Sequence, residues 1–237
     1  MERPYIICHM VTSIDGKVTG DFLSSPACSE ATEIYYRLNR ELESDGFICG
    51  RVTMEGSFTG GFYPDLNLYT PVYEKEKTDF LAEEPSGFYA VAFDTHGRLG
   101  WQSSKIMDPD GDPGYDGAQI IEVLSEDVDE RYLGYLRALK ISYVFAGKDS
   151  IDVEKALHKL KHLFGCKTLL LEGGSILNGA FLRAGAVDEL SLVVAPVIAG
   201  GDSKPLFMNS DISGFSLFEA KSENGNLILS YKANKCK

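Results

Sequence analysis

Short apolar runs alternate along this chain with stretches of helical period, and no other feature constrains the fold as strongly. Tyr5–Val11, Gly46–Gly50, Phe88–Phe93, Ile120–Leu124, Ser142–Ala146, Thr168–Leu171 and Val187–Ala195 read as buried strands. Between them, a helix opens at Ser29 as N-cap, with Ile34, Leu38 and Leu42 on one face. Further helices are predicted over Glu130–Leu139, Asp152–Phe164 and Ile176–Arg183. The second of these carries Val153, Leu157, Leu160 and Phe164 at helical spacing. Near the end, Phe215–Ala220 and Leu227–Tyr231 form an expected antiparallel pair joined at Asn224-Gly225. Alternating strands and helices predict an α/β fold with a mixed, mostly parallel sheet and antiparallel C-terminal strands.

Residues 12–28, 57–86 and 107–118 are rich in Gly, Pro, Ser and Asp and are expected to be loops. No low-complexity linker or internal repeat divides the 237 residues, which predicts one domain spanning 1–237. The formal net charge of −12 argues against nucleic acid, whose phosphates need clustered Lys and Arg. A small anion can still be held by backbone N–H groups. No apolar run approaches the ~18 residues of a membrane span. The N-terminus lacks the basic and apolar regions of a signal peptide, so a cytoplasmic protein is expected. Cys8, Cys28, Cys49, Cys166 and Cys236 form no CxxC pair; Cys8, Cys49 and Cys166 sit in or beside apolar runs as small buried residues. His158 and His162 are spaced i,i+4 without an acidic or Cys partner, and no metal site is expected.

In parallel α/β sheets, ligands bind beyond the carboxyl ends of strands. Five such ends carry suggestive residues. In Glu172-Gly173-Gly174 the glycines would let backbone N–H groups approach a phosphate at the start of the next helix. They would equally serve a plain strand-to-helix turn. Glu172 would repel that phosphate, so it faces substrate N–H groups or caps a turn. Gly50-Arg51-Val52-Thr53 pairs a cation with Thr53 as a possible N-cap, although Arg51 also fits an ordinary surface charge. Arg98, in Thr95-His96-Gly97-Arg98, suits either a cofactor 2′-phosphate or an exposed turn. Ser13-Ile14-Asp15-Gly16 is an Asp-Gly turn or a small polar ligand site. Ala146-Gly147-Lys148-Asp149 lacks the spacing of a phosphate-binding P-loop, and neither G-x-S-x-G nor G-x-G-x-x-G occurs.

Taken in order, these motifs resemble the reductase domain of the riboflavin-biosynthesis deaminase–reductase, within the dihydrofolate-reductase-like superfamily. The residues that carry the resemblance are Met10–Lys17, Gly50–Thr53, Leu171–Gly174, Val187–Leu190 and Ala195–Gly201. The resemblance implies a three-layer α/β/α fold, NADPH as cofactor, a small-molecule substrate and a homodimer. By position, it places Thr12, Asp15 and Thr53 near the cofactor, Gly174–Ala180 along its phosphates, and Thr95 with Arg98 at its adenosine end. Gly50, Arg51, Gly147, Gly173, Ser175, Ile176 and Leu177 complete the expected cofactor-binding set. Glu172 then faces the substrate, and Glu172 and Asp15 are the candidate catalytic residues.

Two departures stand out. The deaminase zinc signature is absent. The family's D-D-P-x-L-T-x-R stretch is replaced at residues 57–70 by SFTGGFYPDLNLYT. The expectation is an NADPH-dependent reductase of a heterocyclic substrate of pyrimidine or pterin type. The alternative is a non-catalytic nucleotide- or flavin-binding protein that retains the cofactor cradle.

Overall fold

The structure, a computed structural model, describes residues 2–73, 77–82 and 87–234. In chain order, the first elements are β1 (Tyr5–Ser13), α1 (Ser29–Glu41), β2 (Gly46–Gly50), α2 (Arg51–Met54) and β3 (Tyr89–Phe93). Next come β4 (Gln119–Leu124), α3 (Glu130–Ala138), β5 (Ser142–Phe145), α4 (Val153–Phe164) and β6 (Thr168–Leu171). The chain closes with α5 (Ser175–Arg183), β7 (Glu189–Ala195), β8 (Phe215–Glu223) and β9 (Asn226–Ala233).

The chain packs as two compact units, one of Met1–Pro4 with Asp45–Lys167 and one of Tyr5–Ser44 with Thr168–Lys237. In the first, strands run in the order β5-β4-β3-β2, all parallel. Every residue of β3 and β4 is buried, which explains the unbroken apolar run of β3 and leaves Gln119 and Glu122 as buried polar residues in β4. Gly46 is required where β2 meets β3, because a Cβ there would overlap the Tyr89 backbone. Asp129 and Asp152 cap α3 and α4 by accepting the N–H of Arg131 and of Lys155, and Gly165 ends α4 in the left-handed region.

In the second unit the order is β6-β1-β7-β9-β8. β1 is parallel to β6 and β7, and β9 is antiparallel to β7 and β8. The result is the mixed, mostly parallel α/β fold that the sequence predicts. Helix α1 lays Ala31 and Ile34 against Val11, Val193, Ala195 and Ile228, with Leu38 at the margin of this cluster. Asn224 (φ 47°) and Gly225 (φ 80°) make the tight hairpin turn between β8 and β9.

Three local expectations are corrected. Ser29 lies inside α1: Cys28 occupies the cap position, and the Ser29 hydroxyl donates instead to the Pro26 carbonyl, 2.9 Å away. Thr53 is not an N-cap either; Gly50 holds that place and Thr53 is the third residue of α2. The 57–86 excursion has more local structure than its composition suggests, with a π-type turn over Glu55–Thr59 and a 3₁₀ turn over Leu66–Leu68. Residues 74–76 and 83–86 of that excursion, and Cys236, lie outside the described residues.

Candidate functional site

In the second unit the site is built on the carboxyl ends of β1 and β6, which pair in register through Cys8 and Leu171. Gly173 has φ +100°, a region L side chains rarely adopt, and a Cβ there would press on the Met10 methyl at 3.3 Å. The Gly173–Gly174 peptide is cis. Gly174 then sits at the N-cap of α5 with extended backbone and no side-chain cap. The first N–H groups of a helix have no intrahelical acceptor, so Ser175, Ile176 and Leu177 present an uncapped, positive helix start. Ser175 does not cap it, because its hydroxyl donates to the Pro205 carbonyl. Segment 205–208 straps the side of the helix: Met208 N–H donates to the Ser175 carbonyl (3.0 Å) and the Asn178 amide to that of Leu206 (3.2 Å). An uncapped helix start behind a glycine pair fits the phosphate of a nucleotide cofactor.

Glu172 precedes this seat and is buried, 8% exposed. The Asn39 amide, on the buried face of α1, donates to its Oε1 at 2.6 Å. That contact accounts for a carboxylate beside an anion seat. Asn39 escaped the sequence reading. The signal was an Asn one position beyond Leu38, at a helical position turned into the protein.

Asp15 has a defined occupation. Its carboxylate accepts from the Ser13 hydroxyl (2.6 Å) and from the N–H groups of Ala199 (2.9 Å) and Gly200 (3.2 Å). Chiefly the Ser13 bond, with the two backbone donors, lowers its carboxyl to about 2. Asp15 is therefore ionised at neutral pH and fastens the 197–201 loop to the turn after β1. Thr12, one residue before that turn, is buried.

In the first unit, β2 and β3 pair Gly50 with Phe93, so α2 and the turn after β3 start side by side. Arg51 is half-buried and forms an ion pair with Glu55 (2.6 Å), one turn along. Thr53 is half-buried behind it. After β3, Asp94 Oδ2 accepts the backbone N–H groups of Arg98 and of Leu99 (2.8 Å), closing a turn that leaves Arg98 exposed. The Thr95 carbonyl accepts both the N–H (3.0 Å) and the hydroxyl (2.7 Å) of Ser125. Gly147 stands alongside, its carbonyl accepting Glu126 N–H at 2.9 Å. A Cβ at Gly147 would strike the Ser150 carbonyl, so its own loop already requires the glycine.

The structure thus brings Thr12, Asp15, Glu172 and Gly173–Leu177 together in one unit, and Gly50, Arg51, Thr53, Thr95, Arg98 and Gly147 in the other. Among the described residues there is no cluster of three or more His, Cys, Asp or Glu side chains able to hold a metal. No helix there is long and apolar enough to cross a membrane.

In each unit parallel strands alternate with helices and carry the candidate loops at their carboxyl ends, which defines an α/β protein. Residues 107–226 match the model of the RibD C-terminal domain, and the chain belongs to that family. It is 26% identical over 215 residues to the 2,5-diamino-6-ribosylamino-4(3H)-pyrimidinone 5′-phosphate reductase of Aquifex aeolicus, covering 89% of this chain and 85% of that one. Among solved structures, it shares the fold of a pyrimidine reductase-like protein from Corynebacterium diphtheriae. That match has a TM-score of 0.68 at 19% identity, over 98% of this chain and 93% of the other. RibD of Acinetobacter baumannii matches with a TM-score of 0.66 at 18% identity, over 98% of this chain but 58% of that one. Relatives of this chain are therefore named as reductases, and the chain spans little more than half of the RibD protein.

Proposed function

We propose that this chain is an NADPH-dependent reductase, acting as a single reductase domain on a ribosylaminopyrimidine phosphate or a closely related heterocycle. The observation that carries the proposal is the uncapped start of α5 behind Gly173-Gly174, beside a carboxylate already held by Asn39. When bound, the cofactor supplies a hydride. The chain supplies position and electrostatics. Backbone N–H groups of Ser175, Ile176 and Leu177 hold a phosphate, with Gly173 and Gly174 giving close approach. Thr12, Gly50, Arg51 and Thr53 line the cofactor, Thr95 and Arg98 meet its adenosine end, and Gly147 shapes the neighbouring loop. Glu172, set by Asn39, faces the substrate. Asp15, ionised, acts as an acceptor that fixes the 197–201 loop near the cofactor.

Residues 57–70 favour a second reading. They pack onto their own unit, with the Tyr63 hydroxyl donating to the Gly97 carbonyl (3.0 Å) and the Tyr63 ring stacked on that of Tyr132. A chain with so altered a substrate stretch could hold the cofactor without turning it over. Titrating NADPH by fluorescence, and following its oxidation with pyrimidine and pterin substrates, separates the two. Thr53→Val and Gly174→Val are expected to weaken NADPH binding about tenfold or more. Unchanged affinity in both variants refutes the cofactor assignment, and tight binding without turnover favours the second reading.

A homodimer is part of the same proposal. The outermost strand β8 is exposed along nearly its whole length, with Leu217 and Phe218 each about half exposed. A cytoplasmic setting suits the buried thiols of Cys8, Cys28, Cys49 and Cys166, which form no disulfide among the described residues.

A further inference from the structure

Beneath the turn that carries Thr95 and Arg98 lies a buried polar cluster that the proposed reaction does not use. Glu122, in the middle of β4, is fully buried with no cation against it among the described residues. Trp101 Nε1 donates to Glu122 Oε1 at 2.5 Å. Tyr132 Oη lies 2.8 Å from the Leu99 carbonyl and 3.2 Å from the same Oε1. Glu122 Oε2 is buried and has no hydrogen-bond partner among the described residues.

Counting protons decides the state of this cluster. A phenol has one proton, and the shorter contact to Leu99 takes it, since a carbonyl can only accept. An ionised Glu122 would then meet the phenolic oxygen lone pair to lone pair, with its second oxygen a bare buried charge. A carboxylic acid removes both conflicts. Its Oε1–H donates to Tyr132 Oη while Oε1 still accepts from Trp101, and Oε2 becomes a neutral carbonyl. Burial and the neighbouring Asp94 both push the Glu122 carboxyl well up, and Tyr132 is raised in the same way. The other ionisable groups that bear on the cluster are Asp94, itself raised by burial, and Tyr135, which donates to the Trp101 carbonyl.

The turn rests directly on this cluster. Gly97 lies so close to the Tyr132 ring that any Cβ there would overlap it. Tyr132 holds the Leu99 carbonyl from below, and Asp94 gathers the Arg98 and Leu99 N–H groups from within. We propose that Glu122 is a positioning residue that donates its carboxyl proton to Tyr132 and so fixes the 94–99 turn for the adenosine end of the cofactor. This rests on the cofactor reading above for its ligand, but not for its proton.

Three proteins test it: Glu122→Gln, a neutral side chain whose amide can donate to Tyr132 but not also accept from Trp101 at that atom, Glu122→Leu, and Tyr132→Phe. The infrared difference between wild type and Glu122→Gln at neutral pH should contain a carboxylic-acid carbonyl band; a carboxylate band in its place overturns the proposal whether or not NADPH binds. Glu122→Gln, which keeps one of the two bonds, should lose less NADPH affinity than Glu122→Leu. Glu122→Leu and Tyr132→Phe should lose about tenfold, the scale of one buried hydrogen bond, with kcat retained. Amide exchange at Arg98 and Leu99 should quicken in those two variants more than in Glu122→Gln. Equal losses in Glu122→Gln and Glu122→Leu, or none in Tyr132→Phe, overturn the positioning role. Should Glu122→Leu fail to fold, Tyr132→Phe and Glu122→Gln decide it. If the wild type binds no NADPH, the cofactor reading fails, and the infrared and exchange results still judge the proton and the turn.

Discussion

His9 gives a quantitative test of the second unit. It is fully buried in the middle of β1, stacked on Tyr35 with ring centroids 4.3 Å apart and planes 4° from parallel. Its Nε2 lies 3.0 Å from the Tyr35 carbonyl and its Nδ1 3.0 Å from the Ser191 hydroxyl. A carbonyl only accepts, so Nε2 carries the proton and Nδ1 accepts from Ser191. Charging the ring would put an imidazolium where no water reaches, and that burial lowers its pKa from 6.5 to about 4, against the two hydrogen bonds. The folded protein therefore binds this proton less readily than the unfolded chain. The neutral histidine contributes its full stability above pH 6.5, and that contribution is lost as the pH falls toward 4. The whole gap corresponds to about 3 kcal/mol, and about 2 kcal/mol of it is gone by pH 5. Urea unfolding of wild type and His9→Gln at pH 7.5, 6 and 5 measures this directly. Other groups titrate equally in both proteins, so the wild-type advantage should shrink by about 2 kcal/mol between pH 7.5 and 5. An unchanged difference across that range refutes the argument that His9 is held neutral.

Two further outcomes are expected. Gly179→Ala should destabilise by at least about 2 kcal/mol in urea, because its Cβ would overlap the Met208 carbonyl where segment 205–208 straps α5. Asp15→Ala should speed amide exchange at Ala199 and Gly200. In the wild type that protection should hold at neutral pH and fade as the pH falls toward 2, since the carboxyl is depressed and its bonds need the ionised form.

Where local physics decides the backbone, the sequence is a sufficient guide. The apolar runs at Gly46–Gly50 and Thr168–Leu171 become β2 and β6 with the same bounds, because a buried strand must be apolar on both faces. Asn224-Gly225 forms its hairpin because both residues tolerate positive φ. Caps were less legible. Ser29 and Thr53 are good cap residues by type, yet the loops before them deliver Cys28 and Gly50 to the cap positions. Least legible were polar groups whose partners come from distant segments. Asn39 reads as one more helix residue until β6 brings Glu172 to it, and Glu122 hides in a strand until Trp101 and Tyr132 arrive. Asp15 reads as a turn residue or a catalytic acid, and only the return of residues 199–200 shows what its carboxylate holds.

The division of the chain has a consequence for its synthesis. β1 is made well before the strands that flank it, β6 and β7, which begin at Thr168 and Glu189. Everything from Asp45 to Lys167 belongs to the other unit and can fold as it emerges. At about 5–20 residues per second, β1 waits on the order of ten seconds or more on the ribosome with both edges unpaired. It waits as the apolar segment YIICHMV, the composition that adds to any open strand edge. The nascent chain is thus most vulnerable to aggregation through β1, during the interval before β6 and β7 emerge to cover its edges.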